Sequence, residues 1–389
     1  MNTPTRLFLT VCTVAAIAAE PSARLPQGKP SEVGLRADTL DRIDAAVNAE
    51  IEKGQLPGAV VLVARRGKIV FRRAYGLRAR QPAEERMTVD TLFDLASLTK
   101  PIATAASIAL LLEEKKLRLM DKIESHWPEF GKEGKASITL EQLLLHTGGL
   151  IADNPLEDYR DGRQKALERI CLLKPLADPG KQFKYSDVGY IVLGELVERV
   201  GGETLDGFAR KRLFEPLGLR ETGFRPNQDL AKRAAPTEKR GDVWLRGEVH
   251  DPRAHLLGGV AGHAGLFSTA DDLAVFAQML LNGGTYHGRR ILKEQTVRLI
   301  TAPRRVPQGQ RTLGWDARTV FSSNRGEGFS EKSFGHTGFT GTSIWIDPER
   351  QTTVIFLSNR VHPNGQGQIN RLRGRVASLV AASIEKTSE

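Results

Sequence analysis

Phe93-Asp94-Leu95-Ala96-Ser97-Leu98-Thr99-Lys100-Pro101 is the stretch on which the fold and the chemistry both turn. Apolar Leu92, Phe93 and Leu95 give way here to a helical run over Ile102 to Leu112, and Pro101 is tolerated in a first helical turn. Three residues of helix turn roughly 300°, so Ser97 and Lys100 project from one face and can touch. A serine hydroxyl is a poor nucleophile until a neighbour removes its proton. A lysine whose pKa is depressed by burial can do that, or can hold a second base in place. Alone the pattern is weak, because an N-capping serine followed by a solvated lysine leaves the same letters.

Outward from this stretch the chain divides by periodicity. A helix is expected over Thr39 to Lys53, with Leu40, Ile43, Val47 and Ile51 at helical spacing. Gly58 to Ala64 and Ile69 to Tyr75 read as two strands around the turn Arg65-Arg66-Gly67-Lys68. Thr342 to Ile346 and Thr352 to Leu357 read as a second pair around Asp347-Pro348-Glu349-Arg350, and a terminal helix is expected over Ile369 to Ile384. Between them, Leu140 to Leu145, Gly189 to Val200, Thr204 to Leu213 and Asp271 to Leu281 read as helices joined by Gly/Pro-rich loops. The expected class is α/β (α+β): an antiparallel sheet built from both termini, flanked by helices, with an inserted mainly helical region. The sheet part is expected over about 37–95 and 285–389, the helical part over about 96–284, and the site between them.

Composition narrows the function. With 389 residues, 40% hydrophobic and 26% charged, the chain can bury a large core and is not wholly disordered. Cys12 and Cys171 are the two cysteines, too few for a disulfide framework or a four-cysteine zinc site. Arg6 precedes the apolar run Leu7 to Ala18, and Ala16-Ile17-Ala18 supplies small residues of the cleavage-site type. Residues 1–19 are therefore expected to be a signal peptide and 20–36 a linker, giving an exported protein, periplasmic or secreted. Lipid anchoring at Cys12 is the weaker option. The formal charge of +10 invites a nucleic-acid reading, but no helix-turn-helix, RNA-binding motif or zinc module supports it. Nine Lys/Arg between Arg289 and Arg325 face only Glu294 and Asp316. That excess fits contact with an anionic cell envelope or a simply solvated surface.

Two further elements accompany Ser97 and Lys100. Tyr185-Ser186-Asp187 follows Pro179-Gly180 just before the helix near Gly189, and Gly335-His336-Thr337-Gly338 lies just before the strand at Thr342. With them, the chain resembles the serine β-lactamase and penicillin-binding-protein-like superfamily, in particular the branch of class C β-lactamases, D-Ala-D-Ala peptidases and family VIII carboxylesterases. Its motif set is S-x-x-K, Y-x-N and K-T-G or H-x-G. The resemblance runs from about Ala59 to Leu357 and includes Leu144-Leu145-His146-Thr147-Gly148-Gly149-Leu150.

The resemblance implies that Ser97 is the nucleophile, Lys100 its partner and Tyr185 the general base and later acid. It places Asp187, His336, Thr337, Gly338 and Phe339 at the substrate, with an oxyanion held by the backbone N–H groups of Ser97 and Phe339. It implies an acyl-enzyme serine hydrolase needing no cofactor or metal. The expected substrates are short acyl esters first, then D-amino-acid peptides or β-lactams. Two departures matter: Asp187 replaces an asparagine by an acceptor-only carboxylate, and His336 replaces a lysine by a group that titrates near neutral. Both lower the expectation of efficient β-lactam turnover. A non-catalytic binding protein on the same scaffold is the remaining reading. The glycine-dense loop Gly258 to Ser268 is expected to be a packed turn, with cleft lining by His263 as its alternative, while His146 and His250 are assigned no role.

Overall fold

The computed structural model describes residues 24–385. The expected leader, and Cys12 with it, lie outside them. The principal sheet has nine strands: β1 (Gly58–Arg65), β2 (Lys68–Ala79), β3 (Glu85–Arg86), β4 (Arg304–Val306), β5 (Gly309–Arg311), β6 (Asp316–Arg318), β7 (Phe334–Thr337), β8 (Ser343–Asp347) and β9 (Thr352–Ser358). Their order is β4-β5-β6-β7-β8-β9-β1-β2-β3, and every neighbouring pair is antiparallel. The two ends of the chain meet where β1 pairs with β9, from Ala59 opposite Ser358 to Arg65 opposite Thr352. This is the sheet of both termini that the hairpins predicted.

β1 reads Gly-Ala-Val-Val-Leu-Val-Ala-Arg because both of its faces are buried. Val60, Leu62 and Ala64 enter one apolar core, whereas Ala59, Val61 and Val63 enter another. The second core is closed by two helices, α1 (Ala37–Glu52) and α5 (Asn370–Ser383). The first is closed by α4 (Ala270–Leu281), with α2 (Ala106–Glu113) and α3 (Asp187–Gly201) behind it. The β1–β2 turn puts Arg66 at φ 49° and Gly67 at φ 77°, both left-handed, as a two-residue turn matched to strand twist requires. At the β8–β9 turn the Asp347 carboxylate accepts from the N–H groups of Glu349 and Arg350 at 3.1 Å each.

Two expectations change. The segment read as a linker is packed from residue 24 onward: Leu25 is buried, Gln27 bridges to Ile69, and Pro30–Val33 forms a short 3₁₀ helix. Its Pro, Ser and Arg content hid Leu25, Val33 and Leu35, which are its apolar contacts. The helix expected over Ile102 to Leu112 is α-helical only from Ala106; Ala96–Leu98 is a 3₁₀ turn and Lys100–Ala105 a π turn. β4, β5 and β6 were not read as strands, because Arg304, Arg305, Gln308 and Gln310 break the apolar alternation.

Leu62, midway along β1, is fully buried. Leu62→Ala is expected to lower unfolding free energy by about 2–5 kcal/mol, read from urea denaturation.

Candidate active site

The sequence presents Ser97 by a local distortion. Of residues 91–100, Ser97 alone is not buried. Ala96 before it sits at φ 46°, a conformation that costs a side-chain-bearing residue energy and must be held by its surroundings. Asp94 holds it: one carboxylate oxygen accepts from the Ala96 N–H at 2.8 Å and the other from the His250 N–H at 2.7 Å. Lys100, three residues on at the start of the π turn, projects from the same face as Ser97. Its ammonium donates to Ser97 Oγ at 3.0 Å.

Lys100 is 0% exposed, and its charge is met from three directions. Ser97 Oγ is one, the His263 carbonyl at 3.1 Å is the second, and Asp187 Oδ1 at 2.6 Å is the third. Burial alone would lower the lysine, but the Asp187 and Tyr185 oxygens outweigh it and hold Lys100 above its ordinary value. The His263 carbonyl arrives on the glycine-dense loop. A Cβ on Gly262 would lie 1.9 Å from the Tyr190 carbonyl of α3, so only glycine permits the approach. The packed-turn reading of this loop therefore fits. His263 itself is 1% exposed and meets Asp251 Oδ1 at 2.9 Å through Nε2, rather than facing substrate.

Tyr185 stands at the entry to α3, where Ser186 is the N-cap, its Oγ accepting from the Gly189 N–H at 3.0 Å. The Tyr185 hydroxyl is within hydrogen-bonding reach of Lys100 and Ser97; burial raises it, and the Lys100 charge only partly offsets this. His146 stacks on the Tyr185 ring at 4.4 Å, and its Nδ1 accepts from the Ser186 N–H at 3.0 Å. His146, assigned no role from sequence, thus helps to orient the tyrosine.

On the opposite wall, β7 carries His336 and Thr337. Gly338 follows so tightly that a Cβ there would lie 2.2 Å from Thr342 Oγ1 and 2.3 Å from the Leu95 carbonyl. Ser97, Tyr185, His336, Thr337, Gly338 and Phe339 all line one cleft of about 1120 Å³. Phe339 is 60% exposed at its rim, stacked between the His250 ring at 5.6 Å and the Arg360 guanidinium at 4.6 Å.

Three corrections follow. Asp187 does not line the cleft; its carboxylate turns inward to Lys100. His336 does not titrate near neutral: burial, then the charges of Arg311 and Lys100, push it well below its ordinary value. Its Nδ1 lies 2.8 Å from the Thr337 carbonyl, which can only accept, so Nδ1 carries the proton and Nε2 is an acceptor. The fixed cation comes instead from Arg311 of β5, counted from sequence among a basic surface stretch. Arg311 is 0% exposed, lines the cleft and lies over the Phe183 ring at 5.5 Å. Its one carboxylate partner is Asp316 at 3.4 Å, which also accepts from Thr319 and Ser322. Arg311 Nε and Nη2 have no partner among the described residues. No local pattern announced it, since its neighbours in the site come from β6, β7 and the Phe183 loop.

Among the described residues, Asp187, Asp251 and His263 alone have metal-ligand spacing. Asp187 is already the counter-ion of Lys100 and Asp251 the partner of His263, so the donors are committed within the protein.

At pH 6.5, where an unperturbed imidazole is half protonated, His336 is expected to remain the neutral Nδ1–H tautomer, read from ¹⁵N imidazole shifts. A protonated ring at that pH would contradict the burial argument.

A model of the Beta-lactamase family matches residues 43–378. A putative D-alanyl-D-alanine carboxypeptidase of Escherichia coli (strain K12) is 32% identical over 92% of this chain and 91% of its own length. An N-acetylmuramyl-L-alanine amidase of Bacillus subtilis (strain 168) is 33% identical over 83% and 81%. Among solved structures, EstCE1, described as a hydrolase with promiscuous acyltransferase activity, superposes with TM-score 0.72 at 24% identity, covering 88% of this chain and 99% of its own. A class C beta-lactamase does so with TM-score 0.72 at 21% identity, over 90% and 98%.

Proposed function

The chain belongs to the Beta-lactamase family and is a serine hydrolase, and from that premise we propose that it cleaves cell-wall-type peptides ending in a free carboxylate through an acyl-enzyme on Ser97. The observation that carries the substrate is Arg311, a buried guanidinium on the cleft wall with two nitrogens unpartnered. Asp316 meets only its Nη1, at 3.4 Å; buried donors left without a partner are costly, and a substrate carboxylate is a matching bidentate partner for Nε and Nη2. The names of the Escherichia coli and Bacillus subtilis relatives support the same class.

In this reading Ser97 Oγ attacks the scissile carbonyl. The oxyanion that forms is met by the backbone N–H groups of Ser97 and Phe339. The Tyr185 hydroxyl takes the Ser97 proton as it passes its own to the leaving nitrogen or oxygen. Water then repeats the sequence on the acyl-enzyme and releases the acid. Short activated esters need no carboxylate anchor and serve as simple substrates of the same centre. Ester hydrolysis as the natural activity is the second reading, favoured by a neutral His336 and an Asp187 turned away from substrate. Export rests on the leader-like residues 1–19. The basic stretch gives little support to an envelope-binding face, because Arg298, Arg304, Arg311 and Arg318 are each paired with a carboxylate.

Ser97→Ala is expected to abolish p-nitrophenyl ester turnover and the mass adduct left by a fluorophosphonate or a penicillin. Full activity in that variant would remove Ser97 from the mechanism. Arg311→Gln is expected to raise KM for a D-Ala-D-Ala peptide about tenfold or more while changing neutral-ester hydrolysis by only about twofold. Equal losses on both substrates would favour the ester reading.

A further inference from the structure

We propose that Asp187 is a positioning residue: its carboxylate fixes the Lys100 ammonium as the permanent cation of the site and leaves proton transfer to Tyr185 alone. This deepens the Ser97 acyl-enzyme reading and rests on it for its kinetic arm.

The argument is one of committed partners. Around Lys100 the carboxylates are Asp187, Asp251 and, beyond them, Asp153, and the guanidinium groups are Arg253 and Arg311. Asp251 is taken by His263 at 2.9 Å and Asp153 faces Arg253 at 3.8 Å. Asp187, 2.6 Å from Lys100 Nζ, is the carboxylate left to neutralise the lysine. Nor is that carboxylate needed to cap α3: Ser186 Oγ does so, and the Asp187 N–H is bonded to the Ala152 carbonyl at 2.9 Å. From the remaining sides Lys100 meets Tyr185, Tyr190, His146 and His336; burial keeps the tyrosines up and the histidines down, so all four are neutral near pH 7. An asparagine at 187 could accept a hydrogen bond but could not cancel the charge, and burial disfavours an uncompensated ammonium by up to 3–5 pKa units.

The consequence for the reaction is a division of labour. Lys100 keeps its proton and donates a hydrogen bond to Ser97 Oγ, stabilising negative charge as it develops there. As the Oγ–carbon bond forms, the Ser97 proton moves to Tyr185 Oη and the Tyr185 proton moves to the departing atom. When the carbonyl–leaving-group bond breaks, Tyr185 is again neutral and Lys100 unchanged. No group other than Ser97 and substrate has gained or lost a proton.

Two measurements on the full chain test this. The first follows the Lys100 side chain by ¹³C or ¹⁵N NMR from pH 6 to 10, independent of turnover. Lys100 is expected to stay charged throughout in the wild type, and in Asp187→Asn to lose its proton within the range. The second is the pH profile of kcat/KM for a p-nitrophenyl ester. Because the active form carries the lysine proton, lowering its affinity for that proton brings the alkaline limb down. A shift of about one pH unit or more is expected, with kcat reduced about tenfold or more, KM little changed and Asp187→Glu restoring the wild-type limb. A Lys100 titration and an alkaline limb identical in Asp187→Asn and wild type would overturn the proposal, as would a loss of thermal stability with no shift in either. Failure of the fluorophosphonate to label wild-type Ser97 would refute the acyl-enzyme reading instead, leaving the NMR titration to decide Asp187.

Discussion

A lysine ammonium with no solvent contact is the constraint around which this molecule is arranged. Left alone such a charge would be strongly disfavoured, so the fold must deliver oxygen atoms to it from several places. It does so from three elements distant from one another in sequence: the strained turn at Ala96, the glycine-dense loop through His263, and the first turn of α3. Each delivery fixes something else. The turn exposes Ser97, the loop locks Gly262 against α3, and the helix start places Tyr185 over both. The same three contacts therefore shape the site and staple the helical region together beneath the cleft.

The cleft opposite this cation is positive as well, an arrangement that defines what can enter. Arg311 is buried with two of its three guanidinium nitrogens unpartnered among the described residues, and Arg360 stands over Phe339 at the rim. His336 adds no charge and offers an acceptor. Positive charge has thus been moved off β7, where the resemblance would put a lysine, onto β5, two strands away. An arginine at that distance presents a planar pair of donors rather than a point charge, which favours carboxylate geometry over a less directional anion.

Much of this was legible in the letters, for a physical reason. The β1–β2 and β8–β9 hairpins, and the Ser97, Tyr185 and His336 motifs, are local patterns in which neighbours in sequence are neighbours in space. What could not be read depends on distant partners. Arg311 looked like one more surface arginine, because Phe183 and Asp316 bury it only after β5 and β6 have joined the sheet. The role of Asp187 was read from motif position as substrate contact, whereas its direction is set by a lysine on another element. His146 carried no signal beyond its place in a recurrent heptapeptide, and its value lies in a ring it meets only in three dimensions. Helix type at Ser97 was missed as well, since periodicity does not distinguish a 3₁₀ or π turn set by one left-handed alanine.

The pairing of β1 with β9 bears on how the molecule comes into being. Ser358 Oγ donates to the Gly58 carbonyl across a sequence separation of 300 residues. β1 feeds both apolar cores, so neither core can close until the last strands have been synthesised. Contacts of such range slow folding, and until they form β1, paired only with β2, leaves its other edge and both largely apolar faces open to mispairing. The helical region between Ser97 and Leu281 has much of its own packing and can order earlier. The sheet that completes the cleft, and with it the wall bearing His336 and Arg311, is consequently the last part of the molecule to assemble, so that a nascent or truncated chain carries its serine and lysine without a place for substrate.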